Sequence, residues 1–120
     1  MKAAILKKPG NIVIEEIEKP QVSDDQVLIK IKYTGICGSD IHYYEHGRIG
    51  DFIVKKPIIL GHESSGEIVE TGKNVKNVQV GDGVTIEPGY ACTVCAYCKK
   101  GQYNLCDKMT FMATPPVDWF

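Results

Sequence analysis

Residues 92–106 read CTVCAYCKKGQYNLC and carry four of the chain's five cysteines, at Cys92, Cys95, Cys98 and Cys106. The spacing is C-x2-C-x2-C-x7-C. A tetrahedral Zn²⁺ takes four thiolates at about 2.3 Å. Steps of two intervening residues let a turning backbone aim successive sulfurs at one point. The stretch therefore predicts a structural zinc site, in a lobe that we place at residues 88–107.

Disulfides, free thiols or an iron–sulfur cluster are the alternatives to zinc at these cysteines. Disulfides need an oxidising compartment. The N-terminus has an apolar run only from Ala3 to Leu6, far short of a signal-peptide core or a membrane span. A ferredoxin-type run closes with C-x3-C-P, whereas here the last gap is longer and Asp107 follows Cys106. We therefore favour thiols that bind zinc in a reducing cytoplasm.

The composition of the 120-residue chain is that of an ordinary globular domain. Its residues are 43% hydrophobic and 24% charged, which suits about one domain with one core. The formal net charge is −1, so the chain lacks the excess of positive charge that binds nucleic acid or anionic membranes. We expect a small molecule as its partner, with no nucleic acid and no membrane.

Alternating apolar residues predict a chain built mostly from short strands. Residues 27–33 place an apolar side chain at every second position, ending in Ile31 and Tyr33, which is the period of a half-buried strand. Residues 12–17 and 67–71 read the same way, though less cleanly. Turn signals separate these segments at residues 9–10, 19–20, 71–74 and 80–83. The pattern predicts a barrel-like or sandwich-like β domain with few helices.

One short helix is expected to begin after Cys37, with Ser39 as its N-cap. No G-x-G-x-x-G follows a predicted strand, because the run from Gly81 to Gly83 lacks the third glycine and leads into a strand. The sequence therefore predicts that a dinucleotide-binding βαβ unit is absent from this chain.

A second cluster of metal-binding residue types lies upstream of the four cysteines. Cys37 stands in GICGSDIHYY, and His62 with Glu63 stands in GHESSGEIVETGKNV. A single cysteine is more often a small buried residue than a ligand, and a lone His-Glu pair more often lies on the surface in contact with water alone. Glycines flank both segments and permit close approach of the backbone to a site. They are Gly35, Gly38, Gly61 and Gly66.

Three motifs in the same order give this chain a resemblance to a known family. The pattern Gly61-His62-Glu63-x2-Gly66-x5-Gly72-x2-Val75 resembles the signature of zinc-containing alcohol dehydrogenases, the medium-chain dehydrogenase/reductase family. Residues 35–40 are similar to the segment that bears the family's first catalytic zinc ligand, and the cysteine quartet matches its structural zinc lobe. The resemblance runs from Met1 to about Pro116. Residues 43–44, 47–52, 56–57 and 111–116 look most like polyol dehydrogenases of the sorbitol/xylitol (L-iditol 2-dehydrogenase) type.

The resemblance implies both a fold and a reaction. The fold is a GroES-like, partly open barrel with short helices and a four-cysteine zinc lobe. The reaction is the oxidation of a polyol secondary alcohol to a ketose, with hydride transfer to NAD(P)⁺. Zinc with an open coordination position lowers the pKa of a bound hydroxyl, which prepares the alcohol for hydride loss. The resemblance also implies that the full-length enzyme is a homo-oligomer.

The resemblance implies a catalytic zinc site formed by Cys37, His62 and Glu63, in addition to the structural site. Glu63 is implied as a direct ligand because the polyol branch uses the glutamate of its GHE motif. An alternative role for Glu63 is to support the ligands from the outer shell, where carboxylates are common. Asp40 is implied to orient His62 through its far ring nitrogen, with a helix N-terminal carboxylate as the alternative reading.

Five further residues receive roles only from the resemblance. Ser39 and His42 would carry the substrate proton to solvent, although His42 could equally be a surface histidine. Three residues would line the substrate pocket, namely Tyr43, Phe111 and Thr114. Taken alone, Tyr43 and Phe111 would more often be core aromatics.

The expected domain is residues 1–120, a GroES-like zinc-binding catalytic domain that is incomplete at its C-terminus and lacks the Rossmann domain. On this reading the chain is an N-terminal piece of a dehydrogenase and is inactive alone. The main alternative is a stand-alone GroES-like zinc module that catalyses nothing. Another is a zinc-free branch similar to quinone reductases, against which Cys37 and the cysteine quartet count.

Overall fold

The computed structural model describes residues 1–117 as a mainly β protein with two short α-helices. In chain order, the elements are β1 (Lys2–Lys8), β2 (Asn11–Glu16), β3 (Val27–Thr34), α1 (Gly38–His46), β4 (Arg48–Ile49), β5 (Phe52–Ile53), β6 (Ile58–Ile59), β7 (Ser64–Thr71), β8 (Gly83–Thr85), β9 (Gly89–Tyr90), α2 (Ala96–Lys99), a 3₁₀ helix (Tyr103–Leu105) and β10 (Thr110–Phe111). Residues 118–120, the last of the predicted domain 1–120, lie outside the described residues, so that boundary stays a prediction.

Two three-stranded sheets form the body of the protein, with strand orders β2-β1-β6 and β3-β7-β8. Two short ribbons pair β4 with β5 and β9 with β10. Every ladder within residues 1–117 is antiparallel, so this part of the chain contains no parallel βαβ unit. The described strands do not close into a barrel. The predicted class, mainly β with a partly open barrel and few helices, is confirmed.

The main core lies between the first sheet and α1. Leu6 from β1, Tyr43 from α1 and Ile58 from β6 are buried together. Three partly buried side chains pack against them, those of Ile49, Val54 and Leu60. Tyr43 therefore anchors α1 to the sheet, and the start of the helix, where Cys37 lies, is held in place by apolar burial.

The predicted strands over residues 12–17, 27–33 and 67–71 are confirmed as β2, β3 and β7, and β7 begins three residues earlier than expected. The predicted half-buried character of β3 is wrong at its end, because Ile31 and Tyr33 are 40% and 78% exposed. β3 is an edge strand of its sheet, and among residues 1–117 no layer covers that end.

The predicted turn at residues 19–20 is also wrong. That segment is irregular coil, and the turn lies later, at residues 24–25. Here the backbone hydrogen bond from Gln26 N–H to Ser23 O closes the chain just before β3 begins. The Lys-Pro dipeptide therefore lies in coil, and the turn forms directly before β3 instead.

The predicted N-cap of α1 at Ser39 is wrong, since the cap is Cys37 and the helix begins at Gly38. Cys37 has extended backbone angles, φ −82° and ψ 155°, and its N–H donates to Asp40 Oδ2 at 2.9 Å. A carboxylate three residues beyond the cap satisfies an amide that would otherwise lack a partner, so the cap falls two residues earlier. Neither α-helix of the described part is long and apolar enough to cross a membrane.

Two candidate metal centres

The end of the β3–β7 ladder brings the first candidate centre together. Thr34 pairs with Ser64, and their hydroxyl oxygens lie 3.0 Å apart. One step beyond the ladder, Gly35 N–H donates to the carbonyl oxygen of Glu63 at 2.8 Å. The segment leaving β3, which leads to Cys37, therefore lies beside the segment entering β7, which holds His62.

The ligand atoms of Cys37, His62 and Glu63 all lie within 4.8 Å of one another. The His62 side chain is mostly buried, with 13% of its surface exposed, whereas Glu63 is exposed. One thiolate, one imidazole nitrogen and one carboxylate oxygen are donors that Zn²⁺ accepts, and three protein ligands leave one tetrahedral position free. The residues present therefore fit a zinc site that can also bind a further oxygen ligand.

Gly35 makes room for the carboxylate of this centre. A Cβ added at Gly35 would lie 2.5 Å from Glu63 Oε2 and 3.1 Å from Glu63 Cβ. A side chain at this position would therefore force the Glu63 side chain out of its present position. Gly38, on the other side of Cys37, has no such neighbour within 4 Å.

Asp40 links the two segments that present Cys37 and His62. Its side chain is buried, Oδ2 accepts from Cys37 N–H, and Oδ1 accepts from Gly61 N–H at 3.2 Å. Oδ1 also lies 3.8 Å from Nδ1 of His62, which is too long for a direct hydrogen bond. The structure thus places Asp40 both beside His62 and in the first turn of α1, and its role in orienting the His62 ring stays a prediction.

The structure places the three expected substrate residues in two different settings. Phe111 packs edge-on against the His62 imidazole, with ring centroids 5.4 Å apart. Tyr43 is buried in the main core, and its hydroxyl is hydrogen-bonded to the Thr114 side chain. Burial raises the pKa of the Tyr43 hydroxyl, and the hydrogen bond to Thr114 opposes this rise. Phe111 therefore contacts the candidate centre, whereas Tyr43 belongs to the core.

The two expected proton carriers lie on α1 without a direct link. Ser39 is partly buried in the first turn, and His42 is exposed on the second. Within residues 1–117 no hydrogen bond joins their side chains. The His42 ring instead lies 5.2 Å, centroid to centroid, from the ring of His46. A relay through Ser39 and His42 stays a prediction.

The second candidate centre is the cysteine quartet, whose four Sγ atoms lie within 4.8 Å of one another. Zinc bonds of about 2.3 Å give a tetrahedron with edges of about 3.8 Å, so the four sulfurs are close to its corners. The pairing of β9 with β10 joins the two ends of the lobe. No disulfide joins cysteines of the described chain, and a closed set of four thiolates fits a structural zinc ion.

Backbone amides point at these sulfurs and alter their pKa values. The N–H groups of Cys98 and Asp107 lower the pKa of the Cys95 thiol to about 6. Desolvation, reinforced by hydrogen bonding to Cys95, raises the pKa of Cys98 to about 12. The two sulfurs lie 3.5 Å apart, so one ionises easily only while the other keeps its proton.

The backbone donors are the part of this centre that sequence reasoning missed. Cys92 N–H donates to the buried Cys106 Sγ at 3.2 Å, and Lys108 N–H donates to the same sulfur at 3.4 Å. Thr93 adopts the left-handed region, with φ 62°, at the turn after Cys92. Main-chain donors carry no side-chain signal, and a threonine gives no hint of positive φ, so spacing alone could not reveal them.

Comparison with known proteins adds three findings. The sequence profile of the "Alcohol dehydrogenase GroES-like domain" matches residues 23–114. The chain is 52% identical over 118 residues to sorbitol dehydrogenase of Bacillus subtilis (strain 168), covering 98% of this chain and 33% of that protein. It is 50% identical over 115 residues to a probable D-xylulose reductase A of Aspergillus clavatus, covering 95% of this chain and 32% of that protein.

A solved structure with the same fold is that of an Escherichia coli oxidoreductase/dehydrogenase of unknown specificity. It superposes with a TM-score of 0.87 at 44% identity, over 98% of this chain and 34% of the other. The chain thus spans about a third of the length of the curated relatives that it matches.

Proposed function

This chain belongs to the family of the alcohol dehydrogenase GroES-like domain, and from that premise we propose that it carries the metal centres of a zinc-dependent polyol dehydrogenase. The reaction is the oxidation of a polyol secondary alcohol to a ketose, with hydride transfer to NAD(P)⁺. The observation that carries the proposal is the cluster of Cys37, His62 and Glu63, three different donors within 4.8 Å. The similarity to sorbitol dehydrogenase and D-xylulose reductase supports a polyol as the substrate class.

In this proposal Cys37, His62 and Glu63 are the direct ligands of the catalytic zinc. The bound ion supplies Lewis-acid chemistry, because it lowers the pKa of a hydroxyl group at its open position. The charges of the Cys37 thiolate and the Glu63 carboxylate together balance that of a divalent cation. His62 is the uncharged ligand, and the nearby Asp40 carboxylate favours an Nδ1–H on its ring, which leaves Nε2 as the donor atom.

Two residues position the ligands in this proposal. Asp40 ties the Cys37 segment to the His62 segment through its two backbone hydrogen bonds. Phe111 covers one side of the His62 ring, so that it limits rotation of the imidazole and excludes water from that side. Phe111 also offers an apolar wall to the carbon chain of a polyol.

The hydroxyl proton of the substrate leaves along α1 in this proposal. Ser39 accepts it while giving its own hydroxyl proton to His42, and His42, which is exposed, releases that proton to bulk water. The Thr114 hydroxyl hydrogen-bonds substrate hydroxyl groups. Tyr43 contributes through its own hydroxyl, which is hydrogen-bonded to the Thr114 side chain.

The remaining assignments concern the lobe and the second half of the reaction. The quartet of the lobe holds a second zinc that has no open position and only orders the loop. We assign the NAD(P) site to the part of the relatives' length that this chain does not match. The proposal includes a homo-oligomeric enzyme in a reducing cytoplasm, which keeps the five thiols free for metal.

The first test is zinc per chain, measured by elemental analysis on protein purified without chelator. About two equivalents are expected, because both ligand sets lie within residues 37–106. His62→Ala and Cys98→Ala should each remove one equivalent from a different centre. About one equivalent in the unsubstituted chain would contradict a complete catalytic site in these residues.

The second test measures turnover. The chain alone, given sorbitol or xylitol with NAD⁺ or NADP⁺, is expected to show no reduction of the cofactor. A chimera with this chain in place of the matching segment of the B. subtilis sorbitol dehydrogenase should show polyol-dependent reduction, and His62→Ala in the chimera should abolish it. A chimera that binds two zinc ions yet stays inactive would favour a zinc-binding module without catalysis.

A further inference from the structure

The second turn of α1 carries a metal-binding pattern that the proposed reaction does not use in full. Residues 42–46 read HYYEH, so two histidines stand four positions apart with a glutamate directly before the second. An H-x-x-E-H run on a helix places both imidazoles on one face, and zinc peptidases use this arrangement to hold their metal. The structure confirms that this run is helical, within α1 (Gly38–His46).

The two imidazoles are neighbours in space and face solvent. Their ring centroids lie 5.2 Å apart with the planes tilted by 52°. Both side chains are exposed, since the buried residues of α1, Asp40 and Tyr43, occupy a different face of the helix. Positions i and i+4 of a helix are close enough for small side-chain rotations to aim two ring nitrogens at one ion.

A carboxylate next to the pair adds negative charge. Glu45 Oε2 lies 3.6 Å from Nε2 of His46. Within the described residues, Glu45, His42 and His46 do not form a cluster of three ligand atoms close enough to share one ion. Glu45 therefore contributes negative charge near the pair and is not a third ligand. Without a third protein ligand and on an open helix face, the pair can bind an ion but has no cleft in which to hydrolyse a peptide.

We propose that His42 and His46 form a third metal site, which binds a divalent transition-metal cation such as Cu²⁺ or Ni²⁺ through two imidazole nitrogens, with water filling the other positions. Imidazole favours these ions over Mg²⁺ and Ca²⁺, which prefer oxygen ligands. The bound ion cross-links one turn of α1 and thereby stabilises the helix that follows Cys37. It also withdraws His42 from proton transfer, a consequence that rests on the proposed function, whereas the binding itself does not.

The experiment is a Ni²⁺ titration of the zinc-loaded chain, followed by NMR of the histidine ring protons. The chain has three histidines. Paramagnetic Ni²⁺ should broaden the signals of His42 and His46 together at the lowest concentrations and leave His62 sharp. Elemental analysis at the end point should show that zinc is retained in full. Because this readout needs no turnover, it does not depend on the proposed activity.

Matched variants of the exposed face complete the test. His42→Gln and His46→Gln should each weaken Ni²⁺ binding by at least roughly 10–100-fold, and the double variant, which keeps neither imidazole, should weaken it further. Glu45→Gln keeps both imidazoles and should weaken binding less. Unchanged binding by His46→Gln, broadening of His62 first, or zinc loss matching the Ni²⁺ gained would each overturn the proposal. Circular dichroism of each variant checks that the fold is retained.

Discussion

Asp40 Oδ1 lies 3.8 Å from His62 Nδ1, and the same oxygen accepts the N–H of Gly61, directly before His62 in the chain. Because its other oxygen accepts the N–H of Cys37, one buried carboxylate connects two candidate ligands from distant parts of the sequence. The contacts are mainly to backbone groups. Asp40 therefore fixes where the ligand-bearing segments lie.

Replacing Asp40 by Asn should weaken the first metal centre. The amide keeps one acceptor oxygen, so one of the two backbone N–H groups loses its partner, at a cost of about 1–3 kcal/mol in the free energy of unfolding. Zinc affinity at Cys37, His62 and Glu63 should fall roughly 10–100-fold, while the quartet keeps its zinc. Competition against a chromophoric chelator measures the zinc affinity of the two centres. The exposed Asp51→Asn is the control, and equal affinities in the two variants would contradict this role.

Gly35→Ala should displace Glu63 from the centre. The new Cβ would lie 2.5 Å from Glu63 Oε2, closer than a Cβ atom approaches a non-bonded neighbour, so the carboxylate must move. We expect loss of zinc from this centre alone, measured by elemental analysis. Gly38→Ala is the matched control on the other side of Cys37, since it meets no atom within 4 Å and adds up to ~1 kcal/mol of helix propensity. Full zinc binding by Gly35→Ala would show that Glu63 is not a ligand.

Cys106→Ser should open the lobe. Cys106 is the buried member of the quartet, and its sulfur accepts two backbone N–H groups. Without the fourth thiolate we expect one zinc equivalent to be lost and trypsin to cleave at Lys99 and Lys100 in the lobe. Cys37→Ser removes a thiolate from the other centre and should leave the lobe resistant. If both variants were cleaved alike, the two centres would not be independent.

In zinc-free chains that keep the lobe closed, Cys95 should be the first lobe cysteine to react with iodoacetamide, whereas equal rates for the four cysteines would show that zinc loss has opened the lobe. The amide donors hold its pKa near 6, so it is mostly thiolate at pH 7, and only the thiolate attacks. As pH falls through 6 the thiol regains its proton, and the rate at pH 5 should be about tenfold lower than at pH 7. Cys98, whose pKa is raised, should stay unmodified. Peptide mapping by mass spectrometry identifies the site, and the zinc-loaded chain should be protected.

Tyr43→Phe and Tyr43→Ala together separate a core role from a substrate role. The phenylalanine keeps the buried ring and loses only the hydrogen bond to Thr114, which should cost about 1 kcal/mol of stability. The alanine leaves a cavity beside Leu6 and Ile58 and should cost about 3–5 kcal/mol. Chemical denaturation measures both. In the chimera, a lower affinity for polyol in Tyr43→Phe at unchanged zinc content would place the hydroxyl at the substrate.

The family and the fold class were readable from the sequence, because short motifs report chemistry directly. The C-x2-C-x2-C-x7-C spacing and the segments around Cys37 and His62 pointed to two metal centres, and the family membership agrees with the resemblance they suggested. The strand predictions held for β2, β3 and β7, since alternation follows from the side-chain period of a strand. The prediction that Ile31 and Tyr33 are half-buried failed, because local alternation does not tell whether another layer covers a strand.

By itself the sequence determined the residue types available for metal binding and their local spacing, because these depend only on neighbours along the chain. The tertiary structure alone decided that the β3–β7 ladder ends where Cys37 meets His62 and Glu63. It also decided that Asp40 joins those segments, that Tyr43 lies in the core and that backbone amides point at the cysteine sulfurs. The physical reason is that each of these relationships depends on strand pairing or on main-chain groups. The side-chain pattern of a single segment determines neither of these.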